Sequence, residues 1–216
     1  VRRVPGGAIA MIGKSTEPAF ETRLAEAALE KEHIASAVVE RLHPNETVIL
    51  DSGSTVLAVA KAIKGMGLGL TVVTPSLLVA MELSDDKGTT VLLTGGQLRE
   101  GELSLIGPEA EATFSLYNCD TYVMGIAGVD ARRGVTEYHR EEGNVKRAAM
   151  RAADRVIVAS DHSKLGRVQL MKVASFDDVT ALVTDGDPSD PAVLAAVEAG
   201  VEVVCVDDAL GRKDAV

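Results

Sequence analysis

Short apolar runs rich in Val and Ile alternate along the chain with longer segments in which apolar residues recur at helical spacing. This alternation is typical of an α/β fold, so we predict a mostly parallel sheet flanked by helices and leave open a small α/β subdomain. The predicted strands are Thr47–Leu50, Leu70–Val73, Val91–Leu93, Thr121–Met124, Val156–Ala159, Val179–Val183 and Val201–Val206.

The segments between these strands carry amphipathic helical patterns. Pro18, Pro75, Pro108 and Pro191 begin four of them, and proline fits the first helical turn because its missing N–H has no partner there. The first pattern is long and predicts one continuous amphipathic helix. The predicted helices are Pro18–Leu42, Thr55–Lys64, Pro75–Leu83, Pro108–Leu116, Glu141–Ala153 and Pro191–Ala199.

Charge and composition exclude several classes of protein. The chain has 22 basic and 32 acidic residues and a net charge of −10, the wrong sign for a general nucleic-acid surface. Its apolar runs are shorter than the roughly 18 residues of a membrane span, so we predict a cytoplasmic protein without a membrane partner. Cys119 and Cys205 lack metal-type spacing, and we predict no metal and no cofactor. Most of the negative charge lies in residues 177–216, which leaves an anionic ligand compatible with the rest.

Ligands of parallel α/β sheets bind beyond the carboxyl ends of the strands, and the first predicted strand ends there in a polar turn. Asp51-Ser52-Gly53-Ser54-Thr55 combines a glycine, three hydroxyl groups and the start of a helix. Free backbone N–H groups at a helix N-terminus bind phosphate well. The alternative is that Ser52 or Ser54 is simply the N-cap of that helix.

Three further strand ends carry polar or small residues with two interpretations each. Thr74 and Ser76 either cap the next helix or face a ligand. Gly95 and Gly96 form a tight turn, allow the backbone to approach a ligand, or do both. Asp130 accepts sugar hydroxyl groups or holds its own turn.

Charged residues in the second half complete the candidate site. Glu142 and Lys146 are four residues apart, which makes them either a surface ion pair or two groups at the mouth of a pocket. Lys164 follows Ser163 just after a predicted strand, a pair suited to a phosphate.

Many short motifs occur in the order that is typical of the sensor domain of DeoR-family bacterial transcriptional regulators, which this chain resembles up to about Asp185. These are Arg3–Ala8, Glu17–Arg23, Lys31, Asp51–Thr55, Val72–Thr74, Leu93–Gly96, Gly107-Pro108, Asp120, Gly125, Gly128–Asp130, Gly134, Glu141-Glu142, Val145–Arg147 and Asp161–Lys164.

The resemblance implies a fold similar to ribose-5-phosphate isomerase and glucosamine-6-phosphate deaminase, reused to sense a phosphorylated sugar or a related metabolite. It also implies that residues 1–16 are the linker from an N-terminal winged helix-turn-helix that binds operator DNA, that residues 17–210 are the sensor, and that residues 211–216 are a tail. The resemblance further implies a homodimer or homotetramer, which an operator with two half-sites would require.

The competing hypothesis is a sugar-phosphate isomerase or deaminase with Glu142 as general base. Resemblance to the isomerase calls for paired aspartates between Gly125 and Asp130, and only Asp130 is present. We therefore predict a regulator, most simply a repressor, and not an enzyme.

Overall fold

The computed structural model describes residues 2–4, 7–9, 14 and 16–206, so the predicted tail 211–216 lies outside the described residues. Its strands are β1 (Arg2–Val4), β2 (Gly7–Ile9), β3 (Thr47–Leu50), β4 (Thr71–Thr74), β5 (Thr90–Leu93), β6 (Gln97–Arg99), β7 (Ser104–Ile106), β8 (Cys119–Gly125), β9 (Gly128–Asp130), β10 (Gly134–Glu137), β11 (Ala153–Ala159), β12 (Met171–Ala174), β13 (Ala181–Thr184) and β14 (Glu202–Cys205). Its α-helices are α1 (Phe20–Ala25), α2 (Ala28–Val39), α3 (Ser54–Ile63), α4 (Leu77–Leu83), α5 (Pro108–Phe114), α6 (Arg140–Arg151) and α7 (Pro191–Glu198).

Seven parallel strands form the central sheet in the order β14-β13-β11-β8-β3-β4-β5. Within this sheet, the chain enters at β3 and proceeds through β4 to the edge at β5. It then returns to β8, beside β3, and proceeds outward through β11 and β13 to the other edge. Strand order therefore reverses between β3 and β8, the position at which open α/β sheets bind ligands.

Both faces of this sheet are covered, which explains why its strands are continuous apolar runs rather than alternating ones. Helices α2, α3 and α4 pack on one face, in a core that includes Ile34, Val38 and Val48. Helices α5, α6 and α7 pack on the other face, around Phe114 and Tyr122. The predicted fold class is confirmed.

Three small antiparallel units were not predicted, and in the first of them β1 pairs with β2. Strands β9, β10 and β12 form a three-stranded sheet, and β6 pairs with β7 as a hairpin. These strands are three or four residues long and rich in Gly and polar residues, so they lack the apolar runs that marked the larger sheet.

The single helix predicted over Pro18–Leu42 is wrong. The chain breaks between α1 and α2 at Ala27, which has a left-handed φ of 52°. Lys31 is buried, and its Nζ donates to the carbonyl oxygens of Glu26, at 2.6 Å, and of Arg23. This ammonium group supplies donors to the end of α1, so a side chain from the next helix stabilises the break.

Proline marked helix starts correctly at two of the four predicted positions. Pro108 and Pro191 lie in the first turns of α5 and α7. Pro18 and Pro75 instead precede their helices by two residues. No helix in the described ranges is long and apolar enough to cross a bilayer.

Candidate functional site

The loop between β3 and α3 forms one side of a cleft at the reversal of strand order. The N-cap of α3 is Gly53, with φ 102° and no side-chain hydrogen bond to the first turn. Neither Ser52 nor Ser54 caps the helix, so the capping alternative for these serines is wrong. The N–H groups of the first turn of α3 are left without a side-chain acceptor, which is the arrangement that binds anions.

Gly125, the last residue of β8, lies directly against this loop. A Cβ atom at position 125 would lie 2.9 Å from the carbonyl oxygen of Ser52 and 3.2 Å from a methyl group of Val56. Backbone oxygen cannot move aside as a flexible side chain can. The absence of a side chain at Gly125 is therefore what allows the ends of β3 and β8 to meet in the cleft.

Lys146 is buried in the wall of the cleft and connects both strand ends. Its Nζ donates to Asp51 Oδ2 at 2.5 Å and to the carbonyl oxygen of Gly125 at 2.9 Å, and it lies 3.5 Å from Glu137 Oε2. Burial acts to lower the pKa of Lys146, but the charges of Asp51 and Glu137 outweigh it and raise that pKa. Lys146 is thus an internal cation that holds the loop in place.

Glu142, one helical turn before Lys146, is buried as well. Its Oε1 accepts a hydrogen bond from Ser104 Oγ at 2.9 Å and lies 2.8 Å from Arg99 Nη1. Burial acts to raise the pKa of Glu142, yet the charges of Lys146 and Arg99 lower it. The surface-pair interpretation of Glu142 and Lys146 is wrong, because both side chains lie inside the protein and have separate partners.

A second set of charged groups covers the cleft from the side of α1. Glu17 and Arg23 come from the start of the described sensor, and Glu102 comes from the turn between β6 and β7. Arg23 pairs with Glu102 and lies 3.2 Å from Glu17. Glu17 also pairs with Arg99, and its Oε2 lies 2.5 Å from Arg99 Nη2.

Two carboxyl groups of the wall keep their protons to a higher pH than an exposed carboxyl group does. Burial raises the pKa of Glu102 to about 8, against the opposing charge of Arg23. Burial likewise raises the pKa of Glu137 to about 7, against the charge of Lys146. A carboxyl group that is partly protonated both donates and accepts hydrogen bonds, which suits it to hydroxyl groups.

Lys164 completes the cleft. Its ammonium group is nearly buried, 3.0 Å from Ser163 Oγ and 3.8 Å from Asp161 Oδ2. The cleft is narrow, with a free volume of about 40 Å³. It thus combines an uncapped helix start, a lysine and hydrogen-bonding carboxyl groups, which together match a small molecule with an anionic group and several hydroxyl groups.

The family model of the DeoR C terminal sensor domain matches residues 26–186. The chain belongs to the DeoR family. The resemblance predicted from the sequence is confirmed, and membership favours the regulator over the enzyme.

Relatives of this DeoR-family chain are transcriptional repressors. The HTH-type transcriptional repressor GlcR of Bacillus subtilis is 31% identical over 210 residues, 97% of this chain and 80% of that protein. The glycerol-3-phosphate regulon repressor of Escherichia coli is 32% identical over 188 residues, 87% of this chain and 74% of that protein. A probable sor operon regulator from Shigella flexneri shares the fold, with a TM-score of 0.50 and 16% identity over 81% of this chain and 88% of that chain.

The structure brings most of the predicted site residues of this DeoR-family domain together. Asp51 lies just beneath the cleft, where its carboxylate accepts a hydrogen bond from Lys146. The predicted residues that line the cleft itself are Ser52, Gly53, Ser54, Thr55, Glu142, Lys146 and Lys164.

The other predicted site residues do not line this cleft, and their turn-forming alternatives account for them. Thr74 Oγ1 accepts from the N–H of Ser76, and Ser76 Oγ caps α4 by accepting from the N–H of Val79. Asp130 Oδ1 accepts two backbone N–H groups of its own turn. Gly95 and Gly96 form the bend after β5, where a Cβ at position 96 would lie 2.6 Å from the carbonyl oxygen of Ile106.

Five charged residues in or beside the cleft were not predicted from the sequence. They are Glu17, Arg23, Arg99, Glu102 and Glu137. Glu17 and Arg23 belong to a motif of the family resemblance, and that was their one signal. Within the described ranges, no group of three or more His, Cys, Asp or Glu side chains is arranged to hold a metal ion.

Proposed function

We propose that this domain is the effector sensor of a DeoR-type transcriptional repressor. Its effector is a phosphorylated sugar or a related phosphorylated metabolite, which binds in the cleft between the ends of β3 and β8 and changes DNA binding by a helix-turn-helix module. The observation that carries the proposal is the uncapped start of α3, which shares one cleft with Lys164. The names of the relatives support it, since one is an HTH-type repressor and another controls a glycerol-3-phosphate regulon.

In this proposal the cleft residues divide into three roles. The N–H groups of the Ser52-to-Thr55 loop and the ammonium group of Lys164 receive the phosphate. Glu102 and Glu137, which also line the cleft, receive hydroxyl groups. Lys146 keeps its hydrogen bonds to the two strand ends and acts as a positioning residue.

Effector binding regulates DNA binding only if the effector prefers one of two conformations. Inverting a 1:99 population to 99:1 takes about 5.5 kcal/mol of differential affinity. The contribution of α1 to the cleft wall, Arg23, is therefore of special interest, because α1 is the first helix after the predicted linker.

The test is a thermal-shift panel with glycerol 3-phosphate, ribose 5-phosphate, glucose 6-phosphate and their unphosphorylated counterparts. A phosphorylated effector at 100 times its Kd should add about 2.7 kcal/mol to the free energy of unfolding, and its unphosphorylated counterpart should add none. Lys164→Gln should weaken the binding of that effector by at least about tenfold, because it removes a charge-assisted hydrogen bond.

Lys172→Gln is the matched control, since Lys172 is an exposed lysine of β12 outside the cleft. It should leave the affinity unchanged. The proposal is wrong if no phosphorylated compound stabilises the domain, or if the Lys164 and Lys172 variants bind the effector equally well.

A further inference from the structure

Arg23 is a cation of the cleft wall that comes from outside the parallel sheet. It lies in α1, and its side chain is only 11% exposed. The left-handed turn at Ala27 and the bonds from Lys31 separate α1 from α2, and α1 packs against α3. A continuous first helix would carry Arg23 away from the strand ends, so the break is what places its guanidinium group in the same cleft as Lys164.

Arg23 is held in the cleft by two carboxyl groups of different character. Glu102 is deeply buried, and its raised pKa of about 8 leaves it with little negative charge at neutral pH. Glu17 lies 3.2 Å from Arg23 Nη2 and supplies the compensating anion.

Glu17 has other cations within reach. Its Oε2 lies 2.5 Å from Arg99 Nη2 and 3.3 Å from His139 Nε2. If Glu17 lost Arg23 as a partner, its carboxylate would therefore still be paired with a cation. The usual cost of breaking such a pair, an unpaired buried charge, would not arise. Arg23 is thus a cation whose anion can be exchanged.

We propose that Arg23 is a specificity-determining residue of the effector site, and that the anionic group of the effector replaces Glu17 as its partner. The planar guanidinium group suits this role, because it matches phosphate oxygens with two parallel hydrogen bonds. An effector held both by the start of α3 and by Arg23 fastens α1 to the edge of the sheet. The proposal rests on the proposed function, and it adds that α1 becomes more ordered when an effector occupies the cleft.

Substitutions of Glu17 and of Arg23 should have opposite effects on the affinity for the effector. Glu17→Gln removes the internal competitor, so the phosphorylated compounds of the panel should bind about fivefold more tightly, as for a pair of modest strength. Arg23→Gln should weaken them by at least about tenfold. Glu21→Gln makes the same charge change at an exposed position of α1 and should have no effect. If Glu17 only supports the structure, its variant should weaken binding, and that result would overturn the proposal.

Hydrogen exchange distinguishes this proposal from the proposed function. With glycerol 3-phosphate, ribose 5-phosphate or glucose 6-phosphate at saturation, backbone amides at 53–57 and at 20–26 should both exchange more slowly. In Arg23→Gln at saturation, residues 53–57 should still be protected, whereas residues 20–26 should show no change.

Three outcomes contradict the proposal. Protection of residues 53–57 alone in the unaltered chain leaves the effector site standing and overturns the role of Arg23. Equal protection of α1 with and without Arg23 also overturns that role. No protection at either segment with any phosphorylated compound overturns both the role of Arg23 and the proposed function.

Discussion

Glu102 and Glu137 are carboxyl groups that titrate near neutral pH because burial raises their pKa values to about 8 and about 7. In the unfolded chain such groups release their protons near the ordinary value of 4.5. Between the two values the folded state therefore binds more protons than the unfolded state. The stability that this proton provides is complete below about pH 4.5 and is lost as pH rises through the folded pKa.

Glu102→Gln should therefore reduce the pH dependence of stability. The expected difference in slope between the original and the variant is up to about 1.4 kcal/mol per pH unit between about pH 5 and pH 8, the value for one proton. Urea unfolding at several pH values in that window measures it. Near pH 8 the variant should be the more stable protein, because it has no carboxylate to ionise in a buried position.

Glu100→Gln provides the comparison, since Glu100 is an exposed acid of the same hairpin turn. It should leave the slope unchanged. Parallel pH profiles for the original chain and the Glu102 variant would contradict the assignment of a raised pKa to this group.

At the scale of elements, the break between α1 and α2 shapes the cleft wall. An L-residue with positive φ costs about 1–2 kcal/mol, and Ala27 adopts φ 52°. The apolar spacing and the helix-favouring residues on both sides did not predict this turn. Buried hydrogen bonds from Lys31 to the end of α1 oppose the local preference for a continuous helix.

Ala27→Gly should stabilise the domain by about 0.5–1 kcal/mol, because relief of the left-handed strain exceeds the added entropy of the unfolded chain. A continuous helix would give the opposite sign, a loss of about 1 kcal/mol. Chemical denaturation at equilibrium measures the difference.

Ala112→Gly is the helical control, because Ala112 is an exposed residue of α5. It should lower the free energy of unfolding by about 1 kcal/mol. Destabilisation of the same size at both positions would show that Ala27 is helical in solution.

For the whole molecule, the reversal of strand order between β3 and β8 determines where the cleft lies. Gly125→Ala introduces a methyl group 2.9 Å from the backbone oxygen of Ser52. We expect a loss of about 1–3 kcal/mol in the free energy of unfolding, since the two strand ends must separate. The same displacement should abolish stabilisation by the phosphorylated compounds.

Gly95→Ala tests whether the effect depends on this location. A Cβ at position 95 would meet only Glu109 Cβ, at an ordinary 3.8 Å. The change should alter stability by less than about 0.5 kcal/mol and leave binding intact. Loss of binding in the Gly95 variant would show that Gly95 is part of the effector site.

Local composition predicted the parallel sheet because its strands contain short apolar runs rich in β-branched residues. It also predicted which strand ends are polar. Since the carboxyl ends of parallel strands share one edge, the Ser52-to-Thr55 loop and Lys164 were expected to meet there, and they line one cleft together with Glu142 and Lys146.

Only the tertiary structure decided which polar residues face the cleft and which hold turns. The choice for Thr74 and Asp130 depends on side-chain direction, which strand position alone does not reveal. The covering groups depend on contacts between distant segments, such as that between Glu17 and Arg99, 82 positions apart. These partners meet because the turn at Ala27 separates α1 from α2 and the β6–β7 hairpin folds over the strand ends, and neither feature has a local apolar period.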